Sequence, residues 1–214
     1  DLSSLERMWG MFNGASSFNQ AIGNWDVSGV IDMGWVFKDA SSFNQDLSNW
    51  LTSSVNNMDG MFAGAAIFNQ PIGNWDVSSV NNFSWMFDGS SNFNQPIGNW
   101  NTSSSTQMAA MFKNATSFNQ DISSWDMSNV SVMHSMFKGA TSFNQPIGNW
   151  NVSSVRNMGS VFFNASSFNQ DLSTWNVAGI TNLYQTFHGA SSLSNANKGK
   201  IHTAFSSNPN WPYD

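Results

Sequence analysis

The sequence contains no cysteine and few charged residues, and each shortage excludes a class of function. Without cysteine, the 214-residue chain can form neither a disulfide framework nor a thiolate metal site. Charged residues make up 9% of the chain, whereas a soluble domain usually has roughly 25%. Asn, Ser, Thr and Gln supply the polar surface instead. A surface of this composition is typical of extracellular proteins.

Basic residues and long apolar runs are also scarce. Seven Lys and Arg are scattered along the chain, and the net charge is -6. A surface that binds nucleic acid needs clustered Lys and Arg, so we expect no nucleic acid partner. No apolar run reaches the length of about 18 residues that a membrane span needs, and we expect no membrane insertion. Asp1 does not begin a signal peptide, so a secreted form would have lost its targeting segment or would carry it outside this sequence.

The abundant feature is a repeat of 25 residues without insertion or deletion. A period of this length is the signature of a solenoid, in which each coil contacts only its neighbours. We therefore predict one domain of eight coils over residues 1–193. The repeated aromatic residues are Trp25, Trp50, Trp75, Trp100, Trp125, Trp150 and Trp175, with Phe12, Phe37, Phe62, Phe87, Phe112, Phe137, Phe162 and Phe187.

Within a coil, the apolar spacing predicts one short helix. Val30, Met33, Phe37 and Ala40 are separated by 3, 4 and 3 residues, which places them on one helical stripe. Just after this stripe begins to close, at the position of Asp39, every coil has a residue type that tolerates the left-handed conformation. This recurrence predicts the end of the helix. These residues are Gly14, Asp39, Gly64, Gly89, Asn114, Gly139, Asn164 and Gly189.

The segment that follows, such as Phe93 to Ile97, predicts one short strand. Phe93 and Ile97 would share a face at a period of two, and stacked coils would form a narrow parallel sheet with strands about 4.8 Å apart. Together these elements predict an α/β repeat solenoid.

An asparagine and a glutamine recur after the second phenylalanine, so their amides are expected to form ladders from coil to coil. Two interpretations are open. The ladder is either a flat polar binding strip or a set of amides that satisfies backbone groups at a tight corner. The asparagines are Asn19, Asn44, Asn69, Asn94, Asn119, Asn144 and Asn169.

In the turn that leads into the repeat tryptophan, three coils carry an aspartate two residues before a serine, at Asp46, Asp121 and Asp171. Each aspartate could accept a hydrogen bond from its serine and hold the bend. Calcium coordination is the alternative, but no second carboxylate accompanies any of the three. We therefore predict a structural bend and no metal site.

The two ends of the chain differ. Asp1 to Leu5 matches Asp26 to Val30 position for position, so no N-terminal cap is evident, although solenoids need polar caps. The chain is therefore expected to be part of a longer protein, or to stack end to end through its uncapped first coil. Residues 194–214 predict a capping helix and a lid, with Trp211 covering the last coil.

These residues carry a family resemblance. The repeat Trp-Asp/Asn-Val-Ser-x-Val-x-x-Met-x-x-Met-Phe-x-x-Ala-x-x-Phe-Asn-Gln-x-Ile/Leu, over residues 1–193, resembles the BspA-like bacterial surface repeats in the variant of mycoplasma surface lipoproteins and marine secreted proteins. Where the better-known form has cysteine, this chain has Ala65. The resemblance implies a right-handed leucine-rich-repeat-like solenoid, a secreted or cell-surface location and an adhesive or binding role. It supplies no catalytic residues.

The chain carries no pattern typical of an enzyme. His134, His188 and His202 stand in no spacing that suits catalysis, and no phosphate-binding loop or paired carboxylates occur. We expect neither enzymatic activity nor a cofactor.

Binding is expected where the repeat is not obeyed. Two neighbouring positions per coil, represented by Gly34 and Trp35, vary between coils. Trp9, Trp35 and Trp85 at these positions would lie within about 15 Å if each coil rises about 4.8 Å, and Tyr184 is a fourth candidate. Exposed aromatic rings are typical anchors for a protein or glycan partner. The alternative is that these rings pack on one another.

Three functions therefore remain open. The first is a secreted or cell-surface binding or adhesion module that recognises a protein or a glycan. The second is a structural subunit that stacks end to end into a filament or stalk. The third, an ice-binding solenoid, is disfavoured because no threonine ladder exists: Thr52 and Thr102 are the only threonines at their repeat position.

Overall fold

A computed structural model describes residues 5–213 as a stack of coils followed by one helix. Each coil advances the chain by one 25-residue repeat, and single parallel β-bridges join neighbouring coils. The helix α1, Asn195–Phe205, is the only helix within the described range, and no extended strand occurs there. The bridges connect Arg7, Asp32, Asn57, Asn82, Gln107, Val132, Asn157 and Asn182 in succession.

The short helix predicted in each coil is replaced by a chain of turns. Alternate N–H groups point to the next coil: those of Trp35 and Phe37 donate to the carbonyls of Asp59 and Met61 at 2.8 and 2.9 Å. Other N–H groups close turns of four residues, such as that of Ala40, which donates to the Phe37 carbonyl at 3.0 Å. An α-helix would direct every N–H to the fourth preceding carbonyl. The prediction of a helix per coil is therefore wrong.

Left-handed residues explain why no helix forms. Trp35 and Asp39 both have φ of 57°, and two such residues four positions apart interrupt any α-helix. The left-handed conformation predicted for the position of Asp39 is confirmed in every coil, but it ends no helix. The 3-4-3 spacing does mark buried residues, since Val30, Met33, Phe37 and Ala40 are all buried. A chain of tight turns brings the same residues inward.

The strand predicted from Phe93 to Ile97 is also absent. Phe93 and Ile97 are buried as expected, but side chains make the contact with the previous coil. The Asn94 N–H donates to Asn69 Oδ1 at 2.9 Å. Because the amide oxygen replaces a carbonyl of the neighbouring coil, the backbone bonds without forming a β-ladder.

Aromatic rings fill the interior in parallel rows. Phe87 lies face to face with Phe93 of its own coil at 3.9 Å and parallel to Phe112 of the next coil at 5.6 Å. Trp100 lies parallel to Trp125 at 6.2 Å, and its Nε1–H donates to the Ile72 carbonyl at 3.2 Å. Trp100 thus contacts the coils on both sides of its own. Burying rings of this size supplies much of the stability of the stack.

One helix, α1, lies in the segment where a capping helix was predicted, and it packs on the last coil. The Ser194 hydroxyl caps its N-terminus by accepting from the Asn197 N–H at 3.2 Å. Ile201 and Phe205 are buried. Trp211 packs edge-on against Phe187 at 6.3 Å, near the separation at which an inner coil's tryptophan meets its phenylalanine.

The segment after the last coil also reproduces polar contacts of the repeat. Asn197 Nδ2 donates to both oxygens of Asn169, the backbone carbonyl at 2.9 Å and Oδ1 at 3.0 Å, as Gln170 does toward Asn144. The Tyr213 hydroxyl accepts from the Phe187 N–H at 3.2 Å, in place of a carbonyl from a further coil.

The predicted correspondence of Asp1 to Leu5 with the repeat falls mostly on residues 1–4, which lie outside the described range. Within residues 5–213, no helix is both long and apolar enough to cross a membrane.

Candidate functional site

The variable positions form one line along the stack, which we call the ridge. Many of its positions hold small buried residues, including Gly34, Gly60, Ser84, Ala109 and Ala110. The ridge comprises residues 9–10, 34–35, 59–60, 84–85, 109–110, 134–135, 159–160 and 184–185.

Trp9 and Trp35 form a stacked pair at one end of the ridge. Their ring centroids are 5.2 Å apart with an interplanar angle of 29°. Each ring lies over a glycine of the next coil, because a Cβ at Gly34 would come within 2.8 Å of Trp9 and one at Gly60 within 2.6 Å of Trp35. Trp9 remains 55% exposed, so one broad face of the pair is open to solvent.

Trp35 is also held by polar groups. Its Nε1–H donates to Asp59 Oδ2 at 3.1 Å, and the Lys38 ammonium lies 4.5 Å from the ring centroid. Burial raises the pKa of the Asp59 carboxyl, the Trp35 hydrogen bond lowers it, and the Asp32 charge raises it further. Asp59 Oδ1 is buried without a hydrogen-bond partner among the described residues. Trp35 is therefore partly a packing residue, whereas Trp9 is mainly a surface residue.

Trp85 stands two coils beyond Trp35 and is 41% exposed. Like Trp35, it adopts a left-handed conformation, with φ of 55°. A bulky side chain in this conformation is uncommon and costs backbone energy. No aromatic ring within residues 5–213 packs against Trp85. The chain thus places a large exposed ring at a position that favours glycine.

Tyr184 lies at the other end of the ridge and is 65% exposed. It borders a groove of about 230 Å³ that runs back to His134, with Gly159 and Ser160 between them. Burial lowers the pKa of His134. His134 was not among the binding residues predicted from the sequence. The signal that could have found it is its register, because it occupies the Tyr184 position two coils earlier.

The asparagine ladder is occupied by contacts within the protein. Asn19 Oδ1 accepts from the Asn44 N–H and from Gln45 Nε2, both at 2.9 Å. The same pattern continues to Asn169, whose Oδ1 accepts from the Ser194 N–H at 2.9 Å. These oxygens satisfy backbone and glutamine donors, which agrees with the structural interpretation of the ladder.

The aspartates of the turn that leads into the repeat tryptophan accept the predicted hydrogen bonds. Asp46, Asp121 and Asp171 each accept a hydrogen bond from the N–H two residues on, at 2.8, 2.9 and 3.0 Å. Among residues 5–213, no three His, Asp or Glu side chains come together in a way that could hold a metal ion.

The threonines considered for ice binding are buried. Thr52 and Thr102 each donate a hydrogen bond to a carbonyl of the next coil at 2.9 Å, from Thr52 to Asp76 and from Thr102 to Asp126.

A family model described as "Mycoplasma protein of unknown function, DUF285" matches the chain in four overlapping segments, residues 1–96, 49–135, 68–158 and 123–208. The chain is therefore a repeat protein that belongs to this family. No curated protein and no solved structure matches it.

Proposed function

We propose that this protein is a non-catalytic binding module, secreted or displayed on a cell surface, that recognises a protein or glycan through the ridge. One observation carries the proposal. Trp9, Trp85 and Tyr184 expose large aromatic surfaces on a single line of the stack, where most other positions hold glycine, alanine or serine. Exposed aromatic rings supply contact area at a low cost in side-chain entropy, and they dominate the energy of many interfaces.

The surroundings of the rings favour an uncharged or weakly charged partner. Basic residues are few, and Lys38 is engaged with the Trp35 ring. The resemblance to BspA-like surface repeats, with its leucine-rich-repeat kinship, supports the surface location and the adhesive role. Tryptophan and tyrosine stack on apolar faces while their polar edges accept or donate hydrogen bonds, a combination that suits both sugar rings and protein surfaces.

The test is a screen of the 214-residue chain against a glycan array and a panel of purified extracellular matrix proteins. We expect Trp85→Ser to weaken binding of the ligand found by about 1 to 3 kcal/mol, the usual effect of removing one aromatic anchor. Its melting temperature should stay nearly unchanged because the ring has no aromatic partner. Trp35→Ser should weaken binding too, but it also removes the Asp59 hydrogen bond and the Trp9 contact.

Leu51 supplies a matched control. It is 65% exposed and follows the repeat tryptophan, outside the ridge. Leu51→Ser should leave binding intact. Equal losses from Leu51→Ser and Trp85→Ser, or normal binding by Trp85→Ser, would rule the ridge out as the binding site.

End-to-end stacking is a second candidate function, and the backbone N–H groups at the edge of the last coil favour it. In an inner coil the N–H groups of Met158, Ser160 and Asn164 donate to the next coil. The equivalent groups of the last coil, in Leu183, Gln185 and Gly189, have no partner among residues 5–213. A second copy could supply carbonyls there, but α1 would have to move aside. An apparent molar mass, measured by light scattering, that rises with protein concentration would support this candidate.

The ice-binding alternative loses support from burial of its two threonines, and a thermal hysteresis measurement would test it directly.

A further inference from the structure

The last coil differs from the others in how its central phenylalanine is covered. Phe162, in the preceding coil, lies face to face with Phe168 at 3.9 Å and parallel to Phe137 and Phe187 at 5.7 and 5.6 Å. Phe187 has a parallel ring on one side only. Leu193 stands where its face-to-face phenylalanine would be, so the row of stacked rings ends incomplete.

The segment that covers Phe187 does not restore this packing. Phe205 and Trp211 lie 6.5 and 6.3 Å from Phe187, at interplanar angles of 45° and 68°. A cavity of about 450 Å³ remains, bordered by Phe187, Leu193, Ile201, Trp211 and Tyr213. Its size lies within the range of about 300–1,000 Å³ that is usual for small-molecule sites.

The rim of the cavity is basic. Lys198 and His202 border it, and no acidic residue occurs between positions 172 and 213. Lys200 is paired with Asp171 at 2.8 Å, whereas Lys198 has no ion pair among the described residues. His202 Nδ1 accepts from Trp211 Nε1–H at 3.2 Å, so a neutral His202 carries its proton on Nε2, as a donor.

We propose that this cavity binds a small planar aromatic carboxylate. The ring would lie against Phe187 with Trp211 at its edge, in the offset or edge-on geometry that aromatic pairs prefer. The carboxylate would lie beside Lys198, where a charge-assisted hydrogen bond can form. This site lies at the end of the stack and is independent of the ridge.

The test is isothermal titration calorimetry of the 214-residue chain with three probes: indole-3-acetate, its neutral amide and hexanoate. Indole-3-acetate should bind saturably, with a Kd of about 1 mM or tighter, as expected for a ligand of this size. The amide should bind more weakly because it lacks the charge, and hexanoate should bind more weakly because it cannot stack. Absence of saturable binding, or equal affinity for hexanoate, would overturn the proposal.

Two variants locate the site. Leu193→Phe restores the residue found at this place in the other coils, so its ring should fill the cavity and weaken indole-3-acetate binding by about tenfold or more. Its melting temperature should not fall. Lys198→Gln should weaken binding of indole-3-acetate by about threefold to tenfold, the usual effect of losing one exposed charged contact, and leave the amide unaffected.

Lys200→Gln is the matched control, since Lys200 is on the same helix but outside the cavity. It should leave both affinities unchanged. Equal effects of Lys198→Gln and Lys200→Gln would mean that the overall positive charge of α1, rather than a contact with Lys198, attracts the probe. Unchanged binding by Leu193→Phe would mean that the probe binds outside this cavity. Either result would contradict the proposal.

Discussion

An inner coil and the last coil have the same backbone but different neighbours. The inner coil is covered on both sides by copies of itself, whereas the last coil is covered on one side by α1 and the residues after it. The hydrogen bonds made by Asn197 and Tyr213 match those of a further repeat, but the ring packing does not, because Phe187 is partly exposed and Phe162 is fully buried. Polar contacts need only one correctly placed atom, whereas stacked rings need matching shapes over a whole face.

The largest expected effect comes from removing an interior ring. Phe87→Ala should cost about 3 to 5 kcal/mol in the free energy of unfolding, because it leaves a ring-sized cavity between coils that cannot collapse. Phe187→Ala should cost clearly less, since that ring is partly exposed and already borders a cavity. Urea unfolding followed by circular dichroism measures both.

Phe163→Ala is the control within the inner coils. Phe163 is partly exposed; its ring centroid lies 4.8 Å from Lys138 Nζ and 5.1 Å from the ring centroid of His188. Phe163→Ala should therefore lower the free energy of unfolding much less than Phe87→Ala does. Equal losses from Phe87→Ala and Phe163→Ala would contradict the assigned register of the repeat.

The same contrast shows how far sequence reasoning reaches. The period, the stacking of coils and the buried rings follow from recurring residue types, because each type occupies the same place in every coil. The helix α1 was predicted from the segment where the repeat ends, residues 194–214. The helix and strand inside a coil were predicted wrongly. An apolar spacing of 3 and 4 fits an α-helix, but it also fits a succession of tight turns, and only the direction of the N–H groups separates the two.

A second prediction concerns the backbone shared by inner and last coils. Gly89 has φ of 74°, and the nearest atoms to a Cβ added there are those of Gly64 at 3.8 Å. Room is therefore available, and any cost is conformational. Gly89→Val should destabilise by more than about 1 kcal/mol because valine resists the left-handed region.

Gly89→Asn should cost much less, since Asn114 and Asn164 occupy the same position with φ of 57° and 56°. Denaturant melts of both variants measure the difference. A neutral Gly89→Val, or equal losses from valine and asparagine, would mean that the left-handed conformation is not required at this position.

The candidate site was harder to predict than the interior. Sequence reasoning found the aromatic departures from the repeat, because a large residue at a variable position is visible without a structure. It could not separate Trp35, tied to Asp59 and Lys38, from the freer Trp85, since these contacts depend on how rings lean toward the next coil. The cavity beside Phe187 depends on ring angles that no repeat pattern specifies.

The smallest expected effect concerns the ion pair between Asp171 and Lys200 of α1. The Lys200 hydrogen bond, together with those from Ser173, lowers the pKa of Asp171 from 3.8 to about 2. Because the folded pKa lies below the unfolded one, the stabilisation is complete above about pH 4 and is lost as the pH falls through about 2. Both side chains are exposed, so we expect a contribution below about 1 kcal/mol at pH 7.

Asp121 is the control that separates the effect of the ion pair from that of the turn. Its carboxylate accepts a hydrogen bond from the Ser123 N–H, as Asp171 does from Ser173, but Asp121 belongs to an inner coil. Its pKa is lowered chiefly by the Ser123 backbone hydrogen bond. Asp171→Asn should therefore lower the melting temperature at pH 7 slightly more than Asp121→Asn does. The excess should shrink at pH 2 as the carboxyl protonates, and in 1 M salt as exposed charges are screened over about 3 Å. An excess that persists under both conditions would mean that the Lys200 charge does not hold α1 against the stack.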